Sequence, residues 1–361
     1  MTFLSPLVPV ALPFLLSLLT VLALGNRVIA WLADRKAAQP VSGDAPKTHL
    51  IKHGTPTMGG LLIIAAVVVS VAGMMGALGS ILLTHQRMKL LAVLGTFVFA
   101  GMIGLADDLG KARKKQNKAG LSEGMKLTLQ IVVAIGFAAA LALTAPSEPR
   151  YAVSAITIAG RSLDLGIAYY ILGVLFISGF GNAVNFTDGL DGLASGTTLI
   201  VSLSLAAVVL LTGGTGQLEM VLFYGAIAGG CAGFLWFNAY PARVFMGDTG
   251  SLALGMGISA AALAAKQEIL LLIVGAVYLA EIGSMLLQRY VFKYRRIRHG
   301  LEYAQANRVF RRAPLHHHFE ELGVKETQVV ARFWIAALVA AAVGLLLAPL
   351  LLPEAARGIG R

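Results

Sequence analysis

Aspartate residues interrupt the apolar sequence at three places, and they are the side chains best suited to chemistry. Asp188 and Asp191 lie in the stretch 181–195, between two long apolar runs. Inserting one aspartate at a membrane centre costs about 2.5–3.5 kcal/mol, so this pair would cost roughly 5–7 kcal/mol if it faced lipid. Such residues normally face a water-filled cavity and act there. The alternative is a loop that emerges into water, with the aspartates capping helices.

A second pair, Asp107 and Asp108, ends the third apolar run and is followed by a basic loop that begins with Lys111. Carboxylates beside lysines are typical of a hard-cation site with phosphate-binding groups nearby. Adjacent aspartates on a helix point about 100° apart, so both need not bind one ion. The alternative is two solvated aspartates at the end of a span.

Asp248 follows Gly247 at the start of another apolar run, with Thr249 and Ser251 offering hydroxyl groups. A carboxylate in this place can simply interact with a helix N-terminus. Because the other aspartates are expected on the same side of the membrane, we favour Mg²⁺ ligation.

Two further motifs suit anionic ligands. Residues 52–60 place Gly, Pro and hydroxyl residues beside Lys52, as in a turn that meets a phosphate or a nucleotide; a helix cap at Thr55 or Thr57 is the alternative.

Three consecutive histidines, 316–318, cannot all ligate one metal from a regular helix, so no zinc site is predicted. The preceding Pro314 predicts a helix start, where imidazoles and backbone N–H groups could receive a diphosphate. A pH sensor or a surface run is the alternative.

The composition is that of a polytopic helical membrane protein. Of 361 residues, 57% are hydrophobic and 13% charged, and the mean hydropathy is +0.78. The single cysteine, Cys231, excludes a disulfide scaffold and a cysteine metal site. In a membrane protein the net charge of +11 indicates basic loops on one side, and we predict no nucleic-acid partner.

The predicted fold is therefore all-α, with about ten transmembrane helices in a single domain, 1–361. The spans are expected near 3–33, 57–79, 88–106, 125–145, 166–184, 193–212, 218–237, 248–265, 269–292 and 328–352. Lysine and arginine concentrate in the odd-numbered loops, which predicts that both termini are periplasmic and these loops cytoplasmic. The polar motifs then share one face, in the loops near 34–56, 107–125, 184–192, 238–247 and 293–327. A short periplasmic β-hairpin is predicted near 150–165.

Six motifs, in this order along nearly the whole chain, resemble the phospho-N-acetylmuramoyl-pentapeptide-transferases of the polyprenyl-phosphate N-acetylhexosamine-1-phosphate transferase superfamily. They are Lys52–Gly60, Asp107–Asp108, Asn182–Gly192, Phe234–Asn238, Phe245–Asp248 and Ala313–Glu320. Two departures are visible: Phe186 stands where the family usually has leucine, and the stretch 298–307 looks longer, which leaves the placing of Gln305 open.

The resemblance implies a reaction of peptidoglycan synthesis at the bacterial inner membrane. Phospho-MurNAc-pentapeptide would pass from UDP-MurNAc-pentapeptide to undecaprenyl phosphate, giving lipid I and UMP, with Mg²⁺ as cofactor and a homodimer as the assembly. The implied catalytic residues are Asp107 (the candidate base), Asp108, Asp248 and His316. The implied metal ligands are Asp248 with Asp107, Asp108 or Asp188. The implied substrate-binding residues are Lys52, Thr57, Lys111, Asn182, Asn185, Asp188, Asp191, Asn238, Phe245, Gln305, His317 and His318.

Two other functions are weighed. A sister transferase would use UDP-GlcNAc, but the uninterrupted histidines 316–318 and the Thr-Pro-Thr-Met-Gly-Gly motif favour the muramoyl-pentapeptide branch. A secondary transporter could also place aspartates at broken helices. The polar motifs lie on one face instead of the midplane, and the sequence has no repeat, which argues against it. Direct attack by the lipid phosphate is favoured over a covalent enzyme intermediate.

Overall fold

The computed structural model describes residues 7–35, 54–78, 81–114, 120–144, 154–158, 161–212 and 217–352. Lys52 and the other residues of the predicted loop between 36 and 53 lie outside this part. The described residues form thirteen helices and one two-stranded sheet. The elements in chain order are α1 Val8–Asp34, α2 Gly60–Leu78, α3 Thr84–Lys114, α4 Glu123–Leu143, β1 Ala155–Ile158, β2 Arg161–Asp164, α5 Ile167–Thr187, α6 Leu193–Leu211, α7 Leu218–Asn238, α8 Gly247–Ala264, α9 Glu268–Val274, α10 Ala276–His299, α11 Leu301–Ala306, α12 Leu315–Glu321 and α13 Glu326–Leu351.

The apolar helices confirm an all-α, multi-pass membrane protein. Within the described residues, eight helices (α1 to α7 and α13) are long and apolar enough to cross a membrane, or nine if α9 and α10 form one bent span. Helix α8 is not among them. Its residues are mostly small, and all but Asp248 are buried, so neighbouring helices surround it. The predicted total of ten spans and the predicted side of the termini stay predictions.

The ninth predicted span, 269–292, differs from a single straight helix. The chain breaks at Gly275, and α10 leaves α9 at an angle of 76°. A Cβ at Gly275 would lie 2.6 Å from the carbonyl oxygen of Leu271 and 3.1 Å from the Phe180 ring. Glycine is therefore needed where the bend packs against α5. After the bend, α10 packs against α5 and contacts α12.

The predicted hairpin is confirmed. Strands β1 and β2 pair antiparallel, with Ala155 opposite Asp164 and Ile158 opposite Arg161. The side of the membrane on which it lies stays a prediction.

Helices α7 and α8 form the centre of the bundle. Helix α7 packs mainly on α1 and α6, while α8 packs mainly on α3 and α5. The α3–α8 contact is close because of Gly104, where a Cβ would lie 2.1 Å from the carbonyl oxygen of Asp248. The backbones thus meet at the level of the aspartates, which brings the end of α3 to the start of α8.

Candidate active site

Three aspartates from two helices converge at this contact. Asp107 and Asp108 end the buried part of α3, Asp248 lies in the first turn of α8, and one carboxylate oxygen from each lies within 4.8 Å of the others. Asp107 and Asp108 are only 1% and 2% exposed. Both can face Asp248, despite being adjacent on one helix, because α8 begins directly against this turn of α3.

Asp108 holds the start of α8. One of its oxygens accepts the Asp248 backbone N–H (3.2 Å), and the other accepts the N–H and hydroxyl of Thr249 (3.0 and 2.7 Å). The unpaired N–H groups at a helix N-terminus favour a carboxylate in this place. Gly247 has a positive φ of 72°, and a Cβ there would lie 2.5 Å from an Asp108 oxygen. Asp108 therefore fixes the position of Asp248.

Two lysines neutralise the other two aspartates. Lys111 Nζ lies 2.6 Å from Asp107 Oδ2 and 3.2 Å from Asp248 Oδ2. Lys126, on α4, is hydrogen-bonded to the same Asp248 oxygen and lies 3.6 Å from Asp107 Oδ2. The Leu121 N–H donates to Asp107 Oδ1 (2.8 Å), which ties the start of α4 to the site. Lys126 was not predicted from the sequence as a site residue; its position one turn after the Ser122 N-cap is the signal that was available.

The two predicted asparagines on α5 have different surroundings. Asn185 Nδ2 donates to Asp248 Oδ1 and to Ser251 Oγ, both at 2.8 Å, so it lies in the site. Asn182, almost one turn earlier, donates to Gln130 Oε1 (2.6 Å) and to the Ser178 carbonyl (2.8 Å). These bonds join α5 to α4, and they place Asn182 beside the site instead of on the aspartates.

Asp188 lies directly after α5 and faces the same acidic cluster. Its carboxylate accepts the backbone N–H of Gly247. Burial and the nearby charges of Asp248, Asp108 and Asp191 raise the pKa of Asp188 well above its usual value. It is not one of the three closely grouped carboxylates, so a direct role in metal binding stays a prediction.

Asp191 and Asn238 connect the loops that surround the site. Asp191 Oδ2 accepts the N–H of Ala242 (3.0 Å), and the Asp191 N–H donates to Glu326 (2.9 Å). Asn238 accepts the Gly192 N–H (3.1 Å) through Oδ1 and donates to the Val244 carbonyl (2.9 Å). Both side chains are nearly buried and hold the loop after α5 against the loop after α7.

The loop after α7 also pairs with the chain before α2. The Phe245 N–H donates to the Pro56 carbonyl (2.8 Å), and the Phe245 carbonyl accepts the Gly59 N–H (2.9 Å). This pairing buries Thr57 beside the aspartates, since a Cβ at Gly247 would lie 2.8 Å from Thr57 Oγ1. The predicted turn thus reaches the site beside Gly247.

The three histidines form part of α12, and each has a different partner. His316 is fully buried; its Nδ1 lies 2.9 Å from Glu281 Oε2, and its backbone N–H donates to Glu281 Oε1 (3.2 Å). A Cβ at Gly189 would lie 2.2 Å from His316 Nε2, so the absence of a side chain there admits the ring. Glu281 was not predicted from the sequence; a glutamate inside an apolar run was the available signal.

The other two histidines contact neighbours within their own segment. His317 Nδ1 lies 2.7 Å from Glu320 Oε2, and His318 Nδ1 accepts the Arg311 N–H (3.1 Å). Burial, together with His316 and Arg312, lowers the pKa of His317 to about 4, against the opposing effect of Glu320. His317 is therefore neutral at pH 7. Because the His316 N–H bonds Glu281 and the His317 N–H bonds the Pro314 carbonyl, diphosphate binding at this helix start stays a prediction.

Gln305 lies on the short helix α11 and is exposed. None of its described contacts joins it to the aspartates. Its predicted role in substrate binding therefore stays a prediction.

The site has the donor set of a divalent-cation site that also handles phosphate. Carboxylate oxygens are the ligands that hard cations prefer, and three of them converge here. Lysine side chains at the rim supply positive charge suited to phosphate oxygens. The same elements fit transfer of a phosphoryl group better than passage of a solute.

Comparison with known proteins identifies the class. Residues 90–266, which include the three aspartates and both lysines, match Glycosyl transferase family 4. The fold and the site are thus those of an integral-membrane transferase.

The finer family follows from three matches. Residues 52–64 match the phospho-N-acetylmuramoyl-pentapeptide-transferase signature 1. A phospho-N-acetylmuramoyl-pentapeptide-transferase of Gemmatimonas aurantiaca is 42% identical over 93% of this chain and 92% of its own length. One from Solidesulfovibrio magneticus is 41% identical over 91% of this chain and 90% of its own. The chain belongs to the phospho-N-acetylmuramoyl-pentapeptide-transferase family.

Proposed function

We propose that this protein transfers phospho-MurNAc-pentapeptide from UDP-MurNAc-pentapeptide to undecaprenyl phosphate, which gives lipid I and UMP. The observation that carries the proposal is the convergence of Asp107, Asp108 and Asp248 with Lys111 and Lys126 at one end of the bundle. The names and coverage of the relatives support the same substrates. The site faces the cytoplasm of a bacterial inner membrane, and the working assembly is a homodimer.

Charge is the main obstacle in this reaction, because an anionic lipid phosphate must approach an anionic diphosphate. Mg²⁺ is the proposed cofactor; held by Asp248 and Asp107, it would neutralise the diphosphate and polarise the bond that breaks. Lys111 and Lys126 bridge these two aspartates and would turn to the phosphate oxygens when the cation is bound.

Asp107 and Asp108 have separate roles in this proposal. Both Asp108 oxygens bond the first turn of α8, so Asp108 orients Asp248. Asp107 Oδ2 lies 2.6 Å from Lys111 Nζ and 3.6 Å from Lys126 Nζ. In this proposal Asp107 is the base that takes a proton from the lipid phosphate before direct attack on the diphosphate.

The remaining predicted residues would form the nucleotide and phosphate sites. Asn185 fixes the orientation of the Asp248 carboxylate through its hydrogen bond to Oδ1. The loops that would receive uridine are shaped by Asp188, Asp191, Asn238 and Phe245. The neutral His317 can donate or accept a hydrogen bond but adds no positive charge at pH 7.

The direct test is UMP release by the purified protein with undecaprenyl phosphate and Mg²⁺. We expect release with UDP-MurNAc-pentapeptide and not with UDP-GlcNAc. Asp248→Asn should lower the rate at least about 100-fold, because it removes a negative charge proposed to hold Mg²⁺ on the diphosphate. Asp34→Asn, at the exposed end of α1, is the matched control and should retain full activity.

Two results would contradict the proposal. Release with UDP-GlcNAc would assign the protein to the sister branch. Absence of release with either nucleotide, from folded protein, would favour a function other than transfer.

A further inference from the structure

The first turns of α13 support the loop that joins α5 to α6, residues 188–192. Leu190, in the middle of this loop, is 4% exposed. It belongs to a buried apolar cluster with Val329, Val330 and Phe333 of α13. The position of α13 therefore decides where this loop lies.

Glu326, in the first turn of α13, adds a polar contact to this support. Its Oε1 accepts the backbone N–H of Asp191 at 2.9 Å. The side chain of Asp191 is used elsewhere: its Oδ2 accepts the N–H of Ala242, in the loop after α7, at 3.0 Å. Asp191 is thus held through its backbone by α13 and through its carboxylate by a second loop, and these two bonds together fix its orientation.

The connection between α12 and α13 fixes the position of Glu326. Only the four residues 322–325 separate the two helices. Within them, the Val324 N–H donates to the Phe319 carbonyl at 3.1 Å, and Gly323 has a φ of 88°, which favours glycine. The start of α13 is therefore held by a short, hydrogen-bonded turn.

We propose that Glu326 is a positioning residue for binding of the donor nucleotide. Its bond sets the backbone of Asp191, and the Asp191 carboxylate in turn holds the loop after α7. The inference rests on the proposed function, which assigns these two loops to uridine. Glu326 is not one of the three closely grouped carboxylates. Its loss should therefore weaken nucleotide binding and leave the chemical step almost unchanged.

A carboxylate in a first helical turn can also act through its charge, on the helix N-terminus. Two substitutions separate this effect from the hydrogen bond to Asp191. Glutamine keeps an oxygen that can accept the N–H but carries no charge, whereas leucine has a similar size and neither property.

The test compares the full-length wild-type, Glu326→Leu and Glu326→Gln proteins by steady-state UMP release and by calorimetric binding of UMP. We expect Glu326→Leu to raise the KM for UDP-MurNAc-pentapeptide and the Kd for UMP about tenfold, because a buried N–H loses a charged acceptor. The kcat and the KM for undecaprenyl phosphate should change less than about threefold, since neither depends on nucleotide binding. Glu326→Gln should stay within about threefold of wild type in all four constants.

Gln328→Leu is the matched control. Gln328 is exposed in the same turn of α13 and lies about 200° from Glu326 around the helix. This variant should behave as wild type, which would show that the effect of Glu326→Leu belongs to the face that contacts the loop.

Four results would overturn the inference. Wild-type KM and Kd in Glu326→Leu would show that the bond is not needed. An equal rise in both KM values, or a fall in kcat alone, would show a general structural role. A loss in Glu326→Gln as large as in Glu326→Leu would show an effect of charge.

The binding measurement keeps this inference separate from the proposed function. Wild-type protein that binds UMP but releases none from the donor would contradict the proposed function, and the Kd for UMP in the variants would still test Glu326. Wild-type protein that does not bind UMP would overturn both.

Discussion

At the scale of single residues, the His316–Glu281 pair shows most clearly how one buried side chain orients another. Both side chains are fully buried, and two hydrogen bonds join them. Glu281 Oε2 can accept a hydrogen bond from a protonated Nδ1, and in that tautomer Nε2 is an acceptor beside Gly189. Nε2 has no hydrogen-bond partner among the described residues. We therefore infer that Glu281 is a positioning residue for His316.

Replacing Glu281 by glutamine tests this role. The amide can donate to Nδ1 and shift the proton of His316 to Nε2, so we expect kcat to fall about 10–100-fold, as when a carboxylate that orients a histidine is lost. The KM for either substrate should change less. The tautomer of His316, read from its ¹⁵N chemical shifts, should also change in the Glu281→Gln variant.

Glu320→Gln removes the corresponding partner of His317 and serves as the control. It should leave the His316 tautomer unchanged. A Glu281→Gln protein with the wild-type tautomer and kcat would show that the pair is only structural.

Asp188 illustrates the stability cost of a site built from carboxylates. Its raised pKa means that the folded protein holds the proton more tightly than the unfolded chain does. The free energy of unfolding therefore falls as pH rises from about 4 through the raised pKa. Asp188→Asn should raise the melting temperature of the Mg²⁺-free protein at pH 7.5 by about 2–4 °C, and the gain should disappear near pH 4.

Thermal unfolding monitored across this pH range measures the effect, with Asp34→Asn as an exposed control. The gain should also shrink when Mg²⁺ is added, since the cation relieves the same repulsion. A gain that persists unchanged at pH 4 would contradict the electrostatic explanation.

At the scale of elements, the contact between α3 and α8 decides whether the site exists. Gly104 allows the α3 backbone to touch the Asp248 carbonyl, and Asp108 caps the first turn of α8 from the same helix. These two features place carboxylates from separate segments together.

Two glycines of α3 offer a matched pair of substitutions. A Cβ at Gly104 would lie 2.1 Å from the Asp248 carbonyl oxygen, whereas a Cβ at Gly95 meets nothing within 4 Å. Gly104→Ala should displace α8, lower UMP release at least about tenfold and destabilise the protein by roughly 1–3 kcal/mol. Gly95→Ala should be neutral or stabilise by up to about 1 kcal/mol.

UMP release and thermal unfolding of the two variants measure both effects. Similar behaviour of the two proteins would show that α8 adjusts to the added methyl group, and that the close contact is not required.

At the scale of the whole molecule, the distribution of lysine and arginine predicts that two features lie on opposite sides of the membrane. The sequence predicts that the β-hairpin is periplasmic and that α11 and α12 are cytoplasmic. Cys231, the only cysteine, is buried in α7, so it offers little background for labelling experiments.

Single cysteines can test the predicted orientation. In a Cys231→Ala background, Arg161→Cys on β2 should react with a membrane-impermeant maleimide in spheroplasts, whereas Gln305→Cys on α11 should react only in inverted vesicles. Both positions are exposed. Labelling of both from one side would contradict the predicted topology.

The sequence alone determined the class of fold and the chemical character of the site, because both depend on local properties. Hydropathy over about twenty residues identifies a membrane helix wherever it packs, and turn residues predict the β1–β2 hairpin. The motif spacing was also sufficient to indicate the family. Asp107, Lys111, Asn185 and Asp248 were expected in one site, and they are found together.

Tertiary structure alone decided which side chains of the site contact one another and which side chains only orient those site residues. Asp108 bonds Asp248 across 140 positions of the chain, and Lys126 reaches the same residue across 122. No local pattern encodes such pairings, so Lys126 and Glu281 received no role from the sequence. The break at Gly275 was missed for the same reason: the local sequence is apolar throughout, and only the packing of Phe180 against the bend requires a glycine there.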